Sequence, residues 1–156
     1  MGDTEWACWY VTSPLSTHDT PLYEHMQLEV IPAVVEQIQP GKRHTIVYAR
    51  GLYSGGKDWR NKWPLFRSEW AKDGLLFFTD ETGYIGKGVW SEIIDVLHVL
   101  KRPVYLVTAN GDYFPIDNLQ QSGIVHFSDE DELNWHKYVR IALTEQQQIR
   151  PRQELT

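Results

Sequence analysis

DGLLFFTDETGYIGKGVWSEIIDVLHVLKRPV, Asp73 to Val104, is the stretch whose reading decides the fold. Leu75, Leu76, Phe77 and Phe78 form a short continuous apolar run, the pattern of a strand buried on both faces, with Asp80 at its carboxyl end. Gly83, Gly86 and Gly88 supply a loop in which the backbone can turn and a ligand can come close. From Val89 onward the apolar positions 89, 93, 96, 97 and 100 recur at helical spacing. Glu92 is therefore expected in the first turn of a helix, beside a glycine loop, at the carboxyl edge of a sheet.

Composition narrows the classes around that junction. The chain has 156 residues, 42% of them hydrophobic, enough for one core and too few for two comfortable domains. A formal net charge of −6 argues against a partner as long and as anionic as DNA or RNA, which needs a basic face. Cys8 is the single cysteine, so neither an internal disulfide nor a cysteine-rich zinc site is expected, in keeping with a reducing cytoplasm. No apolar run reaches membrane-spanning length and no targeting pattern opens the chain, so a soluble, cytoplasmic protein is expected. The histidines share no metal-ligand spacing, and no metal or cofactor is expected.

Outward from the junction, residues 6–13 read as a first strand ended by Ser13-Pro14. Asp19 or Thr20 caps a following helix with Pro21 near its first position, and Leu22, Met26, Val30, Val34 and Ile38 form its apolar stripe. Pro32 should bend or break that helix. Thr45 to Ala49 is a second strand. Residues 50–72 begin as a glycine-rich loop and end as a helix, with Pro64 expected in its first regular turn and Trp59, Trp63, Phe66 and Trp70 on one face. Residues 103–108 make a fourth strand, Asn110-Gly111 a tight turn, and Ile124 to Phe127 a fifth strand. Ser128 with Asp131 opens a last helix carrying Leu133, Tyr138, Ile141 and Leu143.

Alternating strands and helices without an internal repeat predict one α/β domain over residues 1–144, followed by a polar tail at 145–156. Its expected core is a doubly wound, mainly parallel five-stranded sheet, Rossmann-like or flavodoxin-like. Ligands in such folds bind outside the carboxyl ends of the strands. Three loops should meet there: Ser13 to Thr20, Gly51 to Asp58, and Asp80 to Gly88.

Four short motifs fall in order along the chain: Trp9-Tyr10-Val11-Thr12-Ser13-Pro14-Leu15, Lys72-Asp73, Gly86-Lys-Gly-Val-Trp-Ser-Glu-Ile93, and Arg102-Pro103-Val104. Together they resemble the nucleoside 2-deoxyribosyltransferase-like superfamily, which includes nucleotide N-glycosidases. The resemblance implies a nucleophile at Glu92, a substrate-contacting acid at Asp73 or Asp80, and Tyr10 and Ser13-Pro14 near the sugar. It also implies a homodimer or larger assembly. Val89 stands where the family pattern has threonine, and the loop from Asp80 to Glu92 is longer than the compact family version.

The residue types suit that chemistry. A carboxylate near an anomeric carbon can stabilise or capture the positive charge that develops when an N-glycosidic bond breaks. A second acid with a raised pKa can protonate the leaving base. Tyr10, Tyr84 or Trp90 can stack on a base, with Gly86 and Gly88 giving room. Gly55, Gly56 and Lys57, with Arg50 and Arg60 near them, can receive a phosphate, so the expected partner is a small nucleoside or nucleotide. Each assignment has a plainer rival. Glu92 can be an acid favoured by the helix dipole, Asp80 a turn cap, the tryptophan stripe packing, and the basic cluster a solvated face. A nucleotide-binding or sensing module without turnover is the alternative function.

Overall fold

A computed structural model describes residues 6–81, 84–116, 124–125 and 139–141 of the chain. Strands β1 (Trp6–Thr12), β2 (Arg43–Tyr48) and β3 (Gly74–Phe77) are followed by β4 (Tyr84–Ile85), β5 (Val104–Val107) and β6 (Tyr113–Pro115). Short β7 (Ile124–Val125) and β8 (Val139–Ile141) complete the described strands. β2, β1, β3, β5 and β6 lie side by side in that order as a five-stranded sheet. Its pairings are parallel except β5 with β6.

Strand alternation sends side chains to two separate apolar layers. Tyr10, Leu75, Phe77, Val104 and Leu106 face one layer, which α3 (Gly56–Trp70) and α4 (Lys87–Ile94) cover through Trp63, Val89 and Ile93. Trp9, Val11, Leu76, Phe78 and Val107 face the other, covered by α1 (Pro21–His25) and α2 (Ile31–Ile38). The third strand is thus buried on both faces, as its unbroken apolar run requires.

Pro32 does not break the helical segment after β1. A π-helical turn, Met26–Val30, joins α1 to α2, and the Ile31 amide bonds back five residues to Met26. The wider turn lies just before the position where proline has no N–H to give. Thr20 caps α1, its hydroxyl accepting from the Tyr23 amide at 3.2 Å.

Several expectations need correction. α3 starts at Gly56, so Pro64 sits inside it rather than in its first turn, on an exposed position where the unpaired carbonyl can meet water. The fifth strand of the main sheet is Tyr113–Pro115, not Ile124 to Phe127. The tight turn at Asn110-Gly111, with Gly111 at φ 91°, folds it straight back on β5, and its proline suits the sheet edge. Ile124–Val125 instead pairs with Val139–Ile141, which also pairs with β4 in a small antiparallel sheet. Ile141, expected on the last helix, is therefore in a strand. Gly83, the helix start at Ser128 and the tail from 145 lie outside the described residues.

Gly74 marks the tightest approach in the main sheet. At φ 147°, a Cβ there would stand 2.5 Å from the Pro103 carbonyl oxygen and 2.6 Å from the Trp9 ring. Both neighbours are fixed, one as backbone and one as a buried indole. Gly74→Ala should therefore cost about 3 kcal/mol or more of stability, combining backbone strain with overpacking, and a denaturation midpoint unchanged from wild type would contradict it.

Candidate active site

Strand order places the crossing of β1 toward β2 and of β3 toward β5 on opposite sides, opening a crevice between the carboxyl ends of β1 and β3. Tyr10 and Thr12 are two residues apart on β1, so both point to the layer that carries α4. Glu92 reaches them from α4. That helix begins at Lys87, so Glu92 lies in its second turn, not its first, and no acid occupies the first turn. The helix-dipole rival for Glu92 loses its geometry with that correction.

The Glu92 side chain is 2% exposed and fully engaged. Thr12 Oγ1 donates to Oε1 at 2.6 Å. Tyr10 Oη and Trp59 Nε1 both donate to Oε2, the indole at 2.9 Å. Tyr10 Oη also shares a 2.8 Å hydrogen bond with Tyr53 Oη. Burial dominates the electrostatics and raises the Glu92 pKa from 4.5 to about 7, against the opposing pull of donors from Thr12, Tyr10 and Trp59; Asp95 adds a smaller upward push. Burial likewise raises the Tyr10 phenol well above its ordinary value, with the Glu92 charge second. The result is a carboxyl group poised between its two protonation states near neutrality, held in one orientation by three donors.

Asp73 is not part of this cluster. It precedes β3 at the amino end of the sheet, where one oxygen accepts the Cys8 amide at 2.7 Å and the other accepts from Gln39 at 3.2 Å. The Asp73 amide returns a bond to the Cys8 carbonyl at 2.9 Å, so this residue staples β1 to the start of β3. Its expected catalytic role is corrected to a structural one, because the carboxylate lies at the wrong end of the parallel strands. Asp80 does lie at the carboxyl edge. It lines a cavity of ≈ 290 Å³ with Ser16, Thr17, Thr20, Leu22 and Glu81, between the loops that follow β1 and β3. Ser13 and Pro14 are buried beside it, each accepting a hydrogen bond from the Thr17 hydroxyl.

The head of α3 differs most from expectation. Gly55, Gly56 and Lys57 are exposed, but the first turn holds Asp58, whose carboxylate accepts the Ser54 amide at 3.0 Å and pairs with Lys62 at 3.1 Å. Those bonds, the Ser54 amide first, hold the Asp58 pKa below its usual value. Gly55, Gly56 and Lys57 thus form a solvent-facing turn in which the Asp58 carboxylate disfavours a second negative group. Arg50 is drawn to Asp19 and over the Tyr23 ring, tying the loop after β2 to the loop after β1. Gly86 stands at the N-cap of α4, its carbonyl accepting the Trp90 amide at 3.0 Å. A Cβ on Gly88 would meet nothing within 4 Å, and Trp90 packs half-buried against the core.

Three members of the cluster went unread in the sequence: Thr12, Tyr53 and Trp59. Thr12 carried a usable signal, since it follows Tyr10 by two on a strand. Trp59 belonged to the recognised aromatic stripe, in which Trp63 is fully buried, and only its indole N–H distinguishes it. Tyr53 carried none. Among the described residues, no group of three or more His, Cys, Asp or Glu is arranged to hold a metal ion, and no helix is long and apolar enough to cross a membrane. No family model, no curated protein and no solved structure matches the chain.

The raised Glu92 pKa has a thermodynamic signature. The folded protein holds this proton more tightly than the unfolded chain, so the contribution is fully present below pH 4.5 and is lost as pH rises through about 7. Glu92→Gln removes that titration while keeping an acceptor for Tyr10 and Trp59. The stability difference between wild type and Glu92→Gln should shift by on the order of 3 kcal/mol against wild type from pH 4.5 to 8, read from denaturation curves; a flat difference would show that Glu92 titrates normally.

Proposed function

We propose that the Glu92 cluster is the reacting centre of a nucleoside or nucleotide N-glycosidase or (deoxy)ribosyltransferase, on a doubly wound, flavodoxin-like sheet related to the nucleoside 2-deoxyribosyltransferases. The observation that carries this reading is the buried Glu92 carboxyl, oriented by Tyr10, Thr12 and Trp59 at the carboxyl edge of parallel strands and titrating near neutrality. The ionised carboxylate attacks the anomeric carbon as the carbon–nitrogen bond breaks, and the bonding pair leaves with the base, which takes up a proton from water. Water or a second base then displaces Glu92 from the glycosyl ester. The Ser16 hydroxyl and the Asp80 carboxyl line the cavity at the same carboxyl edge of the sheet and offer partners for sugar or base.

Uncharged substrates suit this edge better than phosphorylated ones, since Asp80 and Glu81 line the cavity and Asp58 heads α3. The same reading expects a cytoplasmic homodimer or larger assembly, for which Leu65 and Phe66 on α3, 74% and 39% exposed, provide apolar surface. A second reading, a nucleotide-binding or sensing module without turnover, is favoured by one observation: all three donors already occupy Glu92, which is 2% exposed.

Release of free base from a panel of nucleosides and nucleotides, followed by chromatography, separates the two. For the enzyme, Glu92→Gln should cut release by roughly a thousandfold or more while the fold persists. Because the nucleophile must be ionised, kcat/KM should rise with pH through about 7. Tight binding by calorimetry with no product would establish the sensing module instead.

A further inference from the structure

Nothing can react at Glu92 while the site stays as closed as it is here. Of the three side chains that donate to its carboxylate, Tyr10 and Thr12 are strand residues with 0% and 3% exposure. Trp59 alone reaches the surface, partly buried, and Tyr10 is backed in turn by partly buried Tyr53. Solvent therefore approaches the carboxylate past Trp59 and Tyr53.

Both residues belong to one short stretch, 51–59, that runs from the end of β2 into the first turn of α3. Gly51 at φ 85° and Gly55 at φ 141° punctuate it, in backbone conformations that other residues resist. A Cβ on either glycine would meet nothing within 4 Å, so these glycines serve the path of the chain and not close packing. Leu52 and Trp59 pack on the core, the Leu52 amide bonds to the Ala49 carbonyl at 3.0 Å, the Ser54 amide to Asp58 at 3.0 Å, and the Tyr53 ring meets Trp70 edge-on. Ser54 and Gly55 between the two aromatic anchors are exposed.

We propose that Tyr53 and Trp59 form a displaceable cap over Glu92, closed in this structure: the loop carrying Tyr53 swings on Gly51 and Gly55, the Trp59 indole turns aside about its own side-chain bonds, and a hydroxyl-bearing ligand replaces the indole N–H at the carboxylate. The inference rests on the reading of Glu92 as the reacting group, but the cap itself is a mechanical property of residues 51–59. A ligand that lifts the cap must bring its own donor to Oε2, because an unsatisfied buried carboxylate oxygen is costly. A sugar hydroxyl meets that need, whereas a group that only accepts hydrogen bonds does not. The segment read from sequence as a phosphate loop thus serves as a gate.

The test labels carboxyl groups of the full-length protein with a water-soluble carbodiimide and an amine, and follows each site by peptide mass spectrometry. Glu36, whose side chain is 58% exposed, is the internal reference. Wild-type Glu92 should label far more slowly than Glu36, and Trp59→Ala should accelerate Glu92 by about tenfold or more with Glu36 unchanged, as expected when a local opening is made easier. A folded Trp59→Ala protein that labels Glu92 at the wild-type rate overturns the proposal. Should that variant fail to fold, hydrogen exchange on wild type decides: the amides of Leu52 and Ser54, bonded to the Ala49 carbonyl and the Asp58 carboxylate, must exchange through an opening that leaves Phe77 and Val107 protected. Exchange of all four only by global unfolding also overturns it. Neither measurement involves turnover, so an inactive protein whose segment opens would remove the glycosidase reading and leave the cap standing.

Discussion

A carboxylate taken out of water loses several kcal/mol of hydration unless other groups replace it, and Glu92 draws its replacements from two distant parts of the chain. Tyr10 and Thr12 come from the first strand, Trp59 from the helix after the second. Satisfying one buried oxygen pair therefore fixes α4 against β1 and, in the closed state, joins the Trp59 indole to both. The bonds are directional where the surrounding apolar contacts are not, so they set the registry of the layer that contains Trp63, Val89 and Ile93. Asp95, one turn further along, repeats the device by accepting from Trp63 at 2.8 Å and Arg67 at 2.9 Å.

The two ends of the sheet are treated differently, and the difference separates structure from chemistry. At the amino end, Asp73 is consumed by backbone and amide partners, closing β1 onto β3. At the carboxyl end, a threonine hydroxyl, a phenol and an indole converge on Glu92, and Asp80 and Glu81 line a separate cavity between the loops after β1 and β3. An acid in the first position is spent on folding. An acid in the second is held ready with its proton affinity near neutral pH.

Much of this was legible without coordinates. The unbroken run Leu75 to Phe78 demanded burial on both faces, and Leu75 and Phe77 do face one apolar layer while Leu76 and Phe78 face the other. The spacing of Val89, Ile93 and Val96 put α4 on the core, and with it Glu92 at a strand-loop-helix junction. Boundaries were less legible. The start of α4 moved by two residues, enough to carry Glu92 out of the first turn and away from the helix dipole. The fifth strand was misplaced because Tyr113–Pro115 is only three residues long and ends in proline, a pattern with no period of its own.

Local pattern, then, determined the alternation of strands and helices, the two-sided core and the place of Glu92 at a strand-loop-helix junction, because each depends on side-chain periodicity along a single segment. Which acid would be paired with which donor depended on contacts across 33 to 82 residues of chain, and no local period records those. Asp73 and Asp80 look equivalent as acids flanking one strand, yet the sheet sends them to opposite ends. Trp59 and Trp63 look equivalent as members of one stripe, yet only the first places its indole N–H on Glu92. Tertiary structure decided these because the energy of a buried charge depends on every group within a few ångströms, whatever its distance in sequence.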